Sequence, residues 1–397
     1  MISDPAKDSA LNRNRLQIAC GIIDSYDGSE PFHHFLSRFF SANKGFGSTD
    51  RRLYRSWCYA YFRIGKALIH SGTMQRMAVG NYLVNGSSGF PFKHAGYPEF
   101  AQHDTQNLHE RIKFLRSVLP EFSLQDLFPF SSELSAGIDS DQLLISLLKQ
   151  PDVFIRVNSG CNHSVEEELK QRNISFSKLS DQTYALPASV SLQDMLSFRK
   201  HLFQVQDLSS QLVGSKIPAN SDQRWWDCCS GAGGKSLQLL DKHPDIRLTC
   251  SDKRESIIAE FKKRLPDQKF RFLNFKVIDL ENDVIPFGPD EFDGIVADVP
   301  CSGSGTWGRT PEWLSFFDES SLTAYVTRQR NILSKINPFL NKGGIITYLT
   351  CSVFKAENEE IAAWAERNLN LKIVEMSTIS GIENCSDSMY YALLEKL

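Results

Sequence analysis

No Cys-x-x-Cys pair occurs anywhere in the 397 residues. The nine cysteines are odd in number and scattered, which argues against both a disulfide framework and a structural zinc site. Reduced thiols in a cytoplasmic protein are therefore expected, with no metal. No apolar run approaches the ~20 residues needed to cross a bilayer. The N-terminus, Met1-Ile2-Ser3-Asp4-Pro5-Ala6-Lys7-Asp8, has no apolar signal-peptide core, so no membrane association is expected. Internal repeats and low-complexity tracts are missing too. A net charge of only −3 does not announce a nucleic-acid binder. What remains is a chain of ordinary composition, 41% apolar and 23% charged, long enough for two or three domains.

The weak net charge conceals a local bias. Arg51, Arg52, Arg55, Arg63, Lys66, Arg76 and Lys93 follow one another with no acid between Arg51 and Glu99. Such a stretch either tracks phosphates or forms a solvated helix face.

Residues 1–149 read as helical. Ala10–Ile23, Phe32–Phe40, Asp50–Ile69, Glu110–Leu119 and Ser140–Leu148 carry apolar residues at a helical period. Val84–His103, rich in Gly, Ser and Pro, reads as a long connection. Residues 150–202 read as a small α/β module. Its strands are expected at Val153–Val157, Ile174–Leu179 and Thr183–Leu186, with a helix capped by Ser164. Residues 203–397 alternate strand and helix. Strands are expected at Arg224–Cys228, Ile246–Ser251, Phe270–Val277, Phe292–Ala297, Gly344–Leu349, Leu371–Glu375 and Met389–Leu394. That alternation predicts a mostly parallel sheet covered on both faces. The last strand follows a short loop, so it is expected to be antiparallel.

Two of these strands end in cysteine motifs: Asp298-Val299-Pro300-Cys301-Ser302-Gly303-Ser304-Gly305 and Thr350-Cys351-Ser352. Ligands of open α/β sheets bind at the C-terminal ends of the strands, so two thiols at one rim suggest covalent chemistry. The other cysteines (Cys20, Cys58, Cys161, Cys228, Cys229, Cys250 and Cys385) are read as small hydrophobes.

A third strand runs into Cys229-Ser230-Gly231-Ala232-Gly233-Gly234-Lys235, a turn whose glycines let backbone N–H groups approach a ligand. It fits neither G-x-x-x-x-G-K-[ST] nor G-x-G-x-x-G. Asp227, Asp252 (followed by Lys253), Asp279 and Asp298 end or adjoin four successive strands. An acid at the second strand's end typically holds ribose hydroxyls. Together they fit an adenosine-containing ligand without phosphates, for which S-adenosylmethionine is the candidate.

Taken together, DCCSGAGGKS, DVPCSGSG and YLTCS followed by Glu357-Asn358-Glu359 resemble the RsmB/Sun (NSUN) family of RNA 5-methylcytosine methyltransferases. The resemblance runs from about Gln204, where Gln206–Gln211 looks like the opening motif, to the C-terminus. Phe154-Ile155-Arg156-Val157-Asn158 is similar to the family's substrate-side module. Gly231-Ala232 stands for the usual Ala-Pro, and Val299 for Ala.

The resemblance implies a Rossmann-like class I methyltransferase domain with a seven-stranded sheet, preceded by the α/β module and an RNA-binding helical domain. It implies Cys351 as nucleophile on carbon 6 of cytosine, Cys301 as the residue assisting product release, Asp298 as the group facing the ring's N3 and amine, and Lys235 beside them. S-adenosylmethionine would lie on Cys229–Lys235, Asp252, Lys253, Asp279, Asp298 and Pro300. Ribosomal RNA is the expected substrate, transfer RNA the second candidate, and a monomer the expected state. The rival is a catalytically silent RNA-binding or ribosome-assembly factor on the same scaffold. DNA cytosine methylation would need only Cys301, and an amine methyltransferase usually carries Pro-Pro-Tyr at Val299-Pro300-Cys301. The loop Thr306–Trp313 reads either as a stacking surface for an extruded base or as a plain anchor.

Overall fold

The computed structural model describes residues 5–265 and 272–397. They form two compact units that do not follow chain order. One holds the chain to Ser132 together with Asp139–Gln150 and Trp307–Phe317; the other holds Glu133–Ile138, Pro151–Thr306 and Asp318–Leu397.

The first unit is helical: α1 (Pro5–Asp24), α2 (Phe32–Ala42), α3 (Ser48–Arg63), α4 (Thr73–Asn85), α5 (Pro98–Gln102), α6 (Leu108–Val118) and α7 (Ser140–Leu147). The expected Asp50–Ile69 helix stops at Arg63, and the expected connection Val84–His103 contains α5. Helix α4 was not anticipated. Arg76 through Leu83 are all buried, so it has no polar face and no amphipathic period to read. Trp307 is buried against Phe128 and Phe317, with ring centroids 6.0 and 5.0 Å away. Of the two readings of the loop after Cys301, the structure gives Trp307 the anchoring one.

The second unit contains two sheets. In the smaller, β1 (Val153–Val157), β2 (Ser177–Lys178), β3 (Thr183–Leu186) and β4 (Phe203–Val205) lie in the order β2-β3-β1-β4, all antiparallel. Its helix α8 (Asn162–Gln171) has Cys161 at the N-cap, which corrects the expectation for Ser164. A turn closed by Cys161 N–H on Asn158 O (3.0 Å) starts the helix early and leaves Ser164 inside its first turn.

The larger sheet has seven strands: β5 (Arg224–Asp227), β6 (Arg247–Asp252), β7 (Leu273–Val277), β8 (Phe292–Asp298), β9 (Leu340–Thr350), β10 (Leu371–Ile379) and β11 (Met389–Lys396). Of the expected strand Phe270–Val277, residues 270–271 lie outside the described residues. The order is β10-β11-β9-β8-β5-β6-β7. The strands are parallel except β11, which runs antiparallel to both neighbours, as its short loop predicts. Successive side chains on β5 face opposite ways: Trp226 packs with Ile295, Ile346 and Tyr348, and Trp225 with Leu248, Val296 and Leu349. Both faces are thus buried under helices, which holds the strand ends in one fixed rim.

Candidate active site

Strands β8 and β9 are adjacent and in register, with Asp298 opposite Leu349. The residues that follow them therefore emerge side by side. Cys301 and Cys351 meet there, Sγ to Sγ 3.3 Å apart. Two further contacts hold the loops together: Gly305 N–H donates to Cys351 O at 2.9 Å, and Ser388 N–H donates to Gly305 O at 2.9 Å. A Cβ at Gly305 would lie 2.0 Å from Ser388 O, so only glycine allows this approach.

Behind the thiols sits a carboxylate whose role spacing alone did not reveal. Glu357 is fully buried. Its Oε1 accepts from Ser302 N–H (2.8 Å) and Gln329 Nε2 (3.0 Å); its Oε2 accepts from the hydroxyls of Ser302 and Ser352 (both 2.5 Å). Ser302 and Ser352 each follow a cysteine, so one side chain fixes both loops. The sequence signal was the repeated Cys-Ser step together with a glutamate six residues past Cys351.

Contact with Cys351, then burial, and then the charge of Glu357 push the Cys301 thiol well above its usual value. Lys235 binds Asp298 at 2.7 Å. Burial opposes the Lys235 charge, but Asp298 more than offsets it, and Cys351 adds to the effect, so the ammonium is held more firmly than usual. Lys235 is thus matched to a carboxylate and a sulfur rather than to a phosphate.

A pocket of about 470 Å³ opens beside the thiols. Cys229, Asp252, Lys253, Asp279, Asp298, Pro300, Cys301 and Cys351 line it; Ser230, Gly231, Ala232, Gly233, Gly234 and Lys235 are not among its lining residues. Gly231 and Gly233 take positive φ of 52° and 84°, and the turn is tied to β6 by Gly231 N–H on Asp252 Oδ2 (3.2 Å). Burial raises the Asp252 carboxyl, but Arg254 and the Gly231 N–H outweigh it and keep it below the ordinary range. The N–H of Glu281, then Asn282, hold Asp279 low. Asp227 differs: it is buried, bonded to Ser236 Oγ at 2.5 Å, and not part of the lining. Anionic Asp252 and Asp279 with apolar Ile278, Leu280 and Ile332 fit an adenosine-sized cofactor. Among the described residues, no three His, Cys, Asp or Glu are grouped to hold a metal, and no helix is long and apolar enough to cross a membrane.

Residues 216–393 match the family model for 16S rRNA methyltransferase RsmB/F. Over these residues, a little under half of the chain, the sequence is similar to that family. Ribosomal RNA small subunit methyltransferase B of Yersinia enterocolitica is 29% identical over 270 residues, 64% of this chain and 62% of that protein. Its counterpart in Xylella fastidiosa (strain Temecula1) is 29% identical over 230 residues, 56% and 52% of the two. The chain thus spans about three fifths of the length of the first of these relatives. Among solved structures, PH0851 aligns over 100% of both chains with TM-score 0.69 at 18% identity. NSun6 from Pyrococcus horikoshii, solved with SFG, covers 69% of this chain and 96% of its own, with TM-score 0.58 at 15% identity. These structural likenesses are likenesses of fold.

Proposed function

We propose that the chain is an S-adenosylmethionine-dependent RNA (cytosine-5)-methyltransferase acting on ribosomal RNA. The observation that carries this reading is the pair of thiols in contact at 3.3 Å, beside a pocket suited to the cofactor. The names of the RsmB/F relatives support RNA, and ribosomal RNA in particular, as the substrate.

Carbon 5 of cytosine is a poor nucleophile, so the reaction needs a sulfur added at carbon 6 first. Cys351 takes that role, the one the resemblance gives it, and its sulfur stands in contact with that of Cys301. Asp298 meets the N3 and amine edge of the ring, and its pairing with Lys235 holds it in place. S-adenosylmethionine supplies the methyl group that carbon 5 accepts. A solvent water then takes the proton from carbon 5, the C–H electron pair re-forms the carbon 5–carbon 6 double bond, and the carbon 6–sulfur pair returns to Cys351. Cys301, kept protonated by its surroundings, stands in contact with that sulfur and hydrogen-bonds the departing thiolate.

Covalent trapping tests this. Wild type, Cys351→Ala and Cys301→Ala are incubated with small-subunit RNA and methyl-labelled S-adenosylmethionine, then run on a denaturing gel. An RNA adduct is expected to accumulate with Cys301→Ala and vanish with Cys351→Ala. The reverse pattern exchanges the two roles. Wild type that binds the cofactor but gives neither adduct nor labelled RNA would instead support the silent assembly factor.

A further inference from the structure

The pocket beside the thiols has a buried floor and a charged mouth. Asp252, Ile278, Leu280, Val299 and Ile332 form the floor, all of them buried. Among the charged members of the lining, Lys253, Arg254 and Glu281 are exposed and Arg328 is half-buried. They come from three places in the fold. Lys253 and Arg254 follow β6, Glu281 stands in the turn after β7, and Arg328 is on the helix Ser320–Ile336. Arg254 folds back onto Asp252, at 3.0 and 3.2 Å. Glu281 instead reaches across: its Oε1 accepts from Arg328 Nε at 2.8 Å, and its Oε2 lies 3.7 Å from Lys253 Nζ.

The helix that carries Arg328 is fixed at both ends of this face. Gln329, the next residue, donates to Pro300 O (3.1 Å) and to Glu357 Oε1 (3.0 Å), which holds the helix against the Cys301 loop. Ile332, four residues after Arg328 and so on the same side of the helix, belongs to the pocket floor. Lys335 then donates to Glu281 O (3.0 Å) and Asp283 O (3.3 Å). The turn gripped in this way is the one that carries Asp279. Glu281 N–H donates to Asp279 Oδ1 and Asn282 Nδ2 to Asp279 Oδ2, both at 2.9 Å. One short turn therefore aims an acid into the pocket and supplies the carboxylate that spans its mouth.

We infer that Arg328, acting through Glu281, is a positioning residue for the cofactor: the pair closes the mouth over the adenosine end, steadies the turn that aims Asp279, and slows cofactor release. The inference rests on reading this pocket as the S-adenosylmethionine site and extends that site to a helix outside the strand-end motifs. Closure over a bound ligand governs how fast it leaves. Because the pair is part-exposed, salt should weaken it.

The test is the release of radiolabelled S-adenosylhomocysteine from the full chain during a chase with unlabelled compound. Arg328→Ala should speed release about fivefold, the upper end for a part-exposed ion pair. Arg328→Lys, which keeps the charge, should restore most of the wild-type rate. Glu281→Gln should speed release at least as much, and the double variant no more than Glu281→Gln, because the two side chains act as one pair. Wild-type release should quicken toward the Arg328→Ala rate at ~1 M salt, where charges are screened within about 3 Å. Release from Arg328→Ala at the wild-type rate overturns the inference. So do single effects that simply add in the double variant, which would make the two side chains independent. Wild type that holds S-adenosylhomocysteine but transfers no methyl group to RNA, while Arg328→Ala still releases it faster, would sink the reaction proposed above and leave this closure standing.

Discussion

At the scale of single residues, Asp227 shows how the fold bears a cost next to its rim. Burial raises its carboxyl from 3.8 to about 7, and the hydrogen bond from Ser236 only partly offsets the effect. The folded state thus holds a proton there that the unfolded chain has released, so this residue makes stability fall as pH climbs from about 4 to about 7. At 1.36 kcal/mol per pH unit the loss is at most on the order of 4 kcal/mol. Asp227→Asn keeps an acceptor for Ser236 and removes the charge. It should unfold at higher urea than wild type at pH 8, with the advantage shrinking toward pH 4.5. Equal midpoints at pH 8 would show that Asp227 is solvated or matched in solution.

Among elements, the sheet was legible and the glutamate behind it was not. Strands β8 and β9 announced themselves as apolar runs bounded by Gly or Pro, and the alternation of β5 to β11 with helices set direction and layering. The acids at Asp252, Asp279 and Asp298 and both thiols came with the strand ends, because a strand end is where a parallel sheet exposes side chains to one rim. Helix α4 stayed hidden because it is buried all round, and β4 because three residues carry no period. Glu357 belongs to the recognised motif, yet its bonds to Ser302 and Ser352 exist only once β8 and β9 lie side by side. Its negative charge also helps keep Cys301 protonated. In Glu357→Gln the alkylation of the active-site thiols by iodoacetamide should shift to lower pH, and methyl transfer should fall by up to about a hundredfold as the loops lose alignment. The KM for S-adenosylmethionine should stay near its wild-type value. An alkylation profile that does not move would reduce Glu357 to a packing role.

Over the whole molecule, the order of the chain and the order of the units disagree, and this has a consequence for the thiols. Glu133–Ile138 lies between stretches of the helical unit but folds into the other one. Ser135 N–H donates to Val353 O at 2.8 Å, Leu134 bridges Phe354, and Ala136 N–H donates to Glu359 at 2.9 Å. Ser135 Oγ donates to Glu359 (3.0 Å) and accepts from Asn358 Nδ2 (2.7 Å). Asn358 in turn donates to Ser352 O at 2.9 Å and accepts from Thr350 Oγ1 at 2.5 Å, the residues on either side of Cys351. A six-residue strap from the N-terminal part of the chain therefore braces the nucleophile loop proposed here. Nothing in its composition marks it, since its partners lie more than 200 residues away. Ser135→Ala removes two of these bonds and leaves buried groups short of a partner, a loss of about 1–3 kcal/mol. In a unit of this size each kcal/mol lowers Tm by roughly 2–4 °C. Both the melt and the rate of methyl transfer should fall, because the same bonds that stabilise the strap hold Asn358 against the Cys351 loop. A variant that melts earlier but transfers methyl at the wild-type rate would make the strap a stabilising element alone. One that melts like wild type would show that water replaces the hydroxyl at no cost.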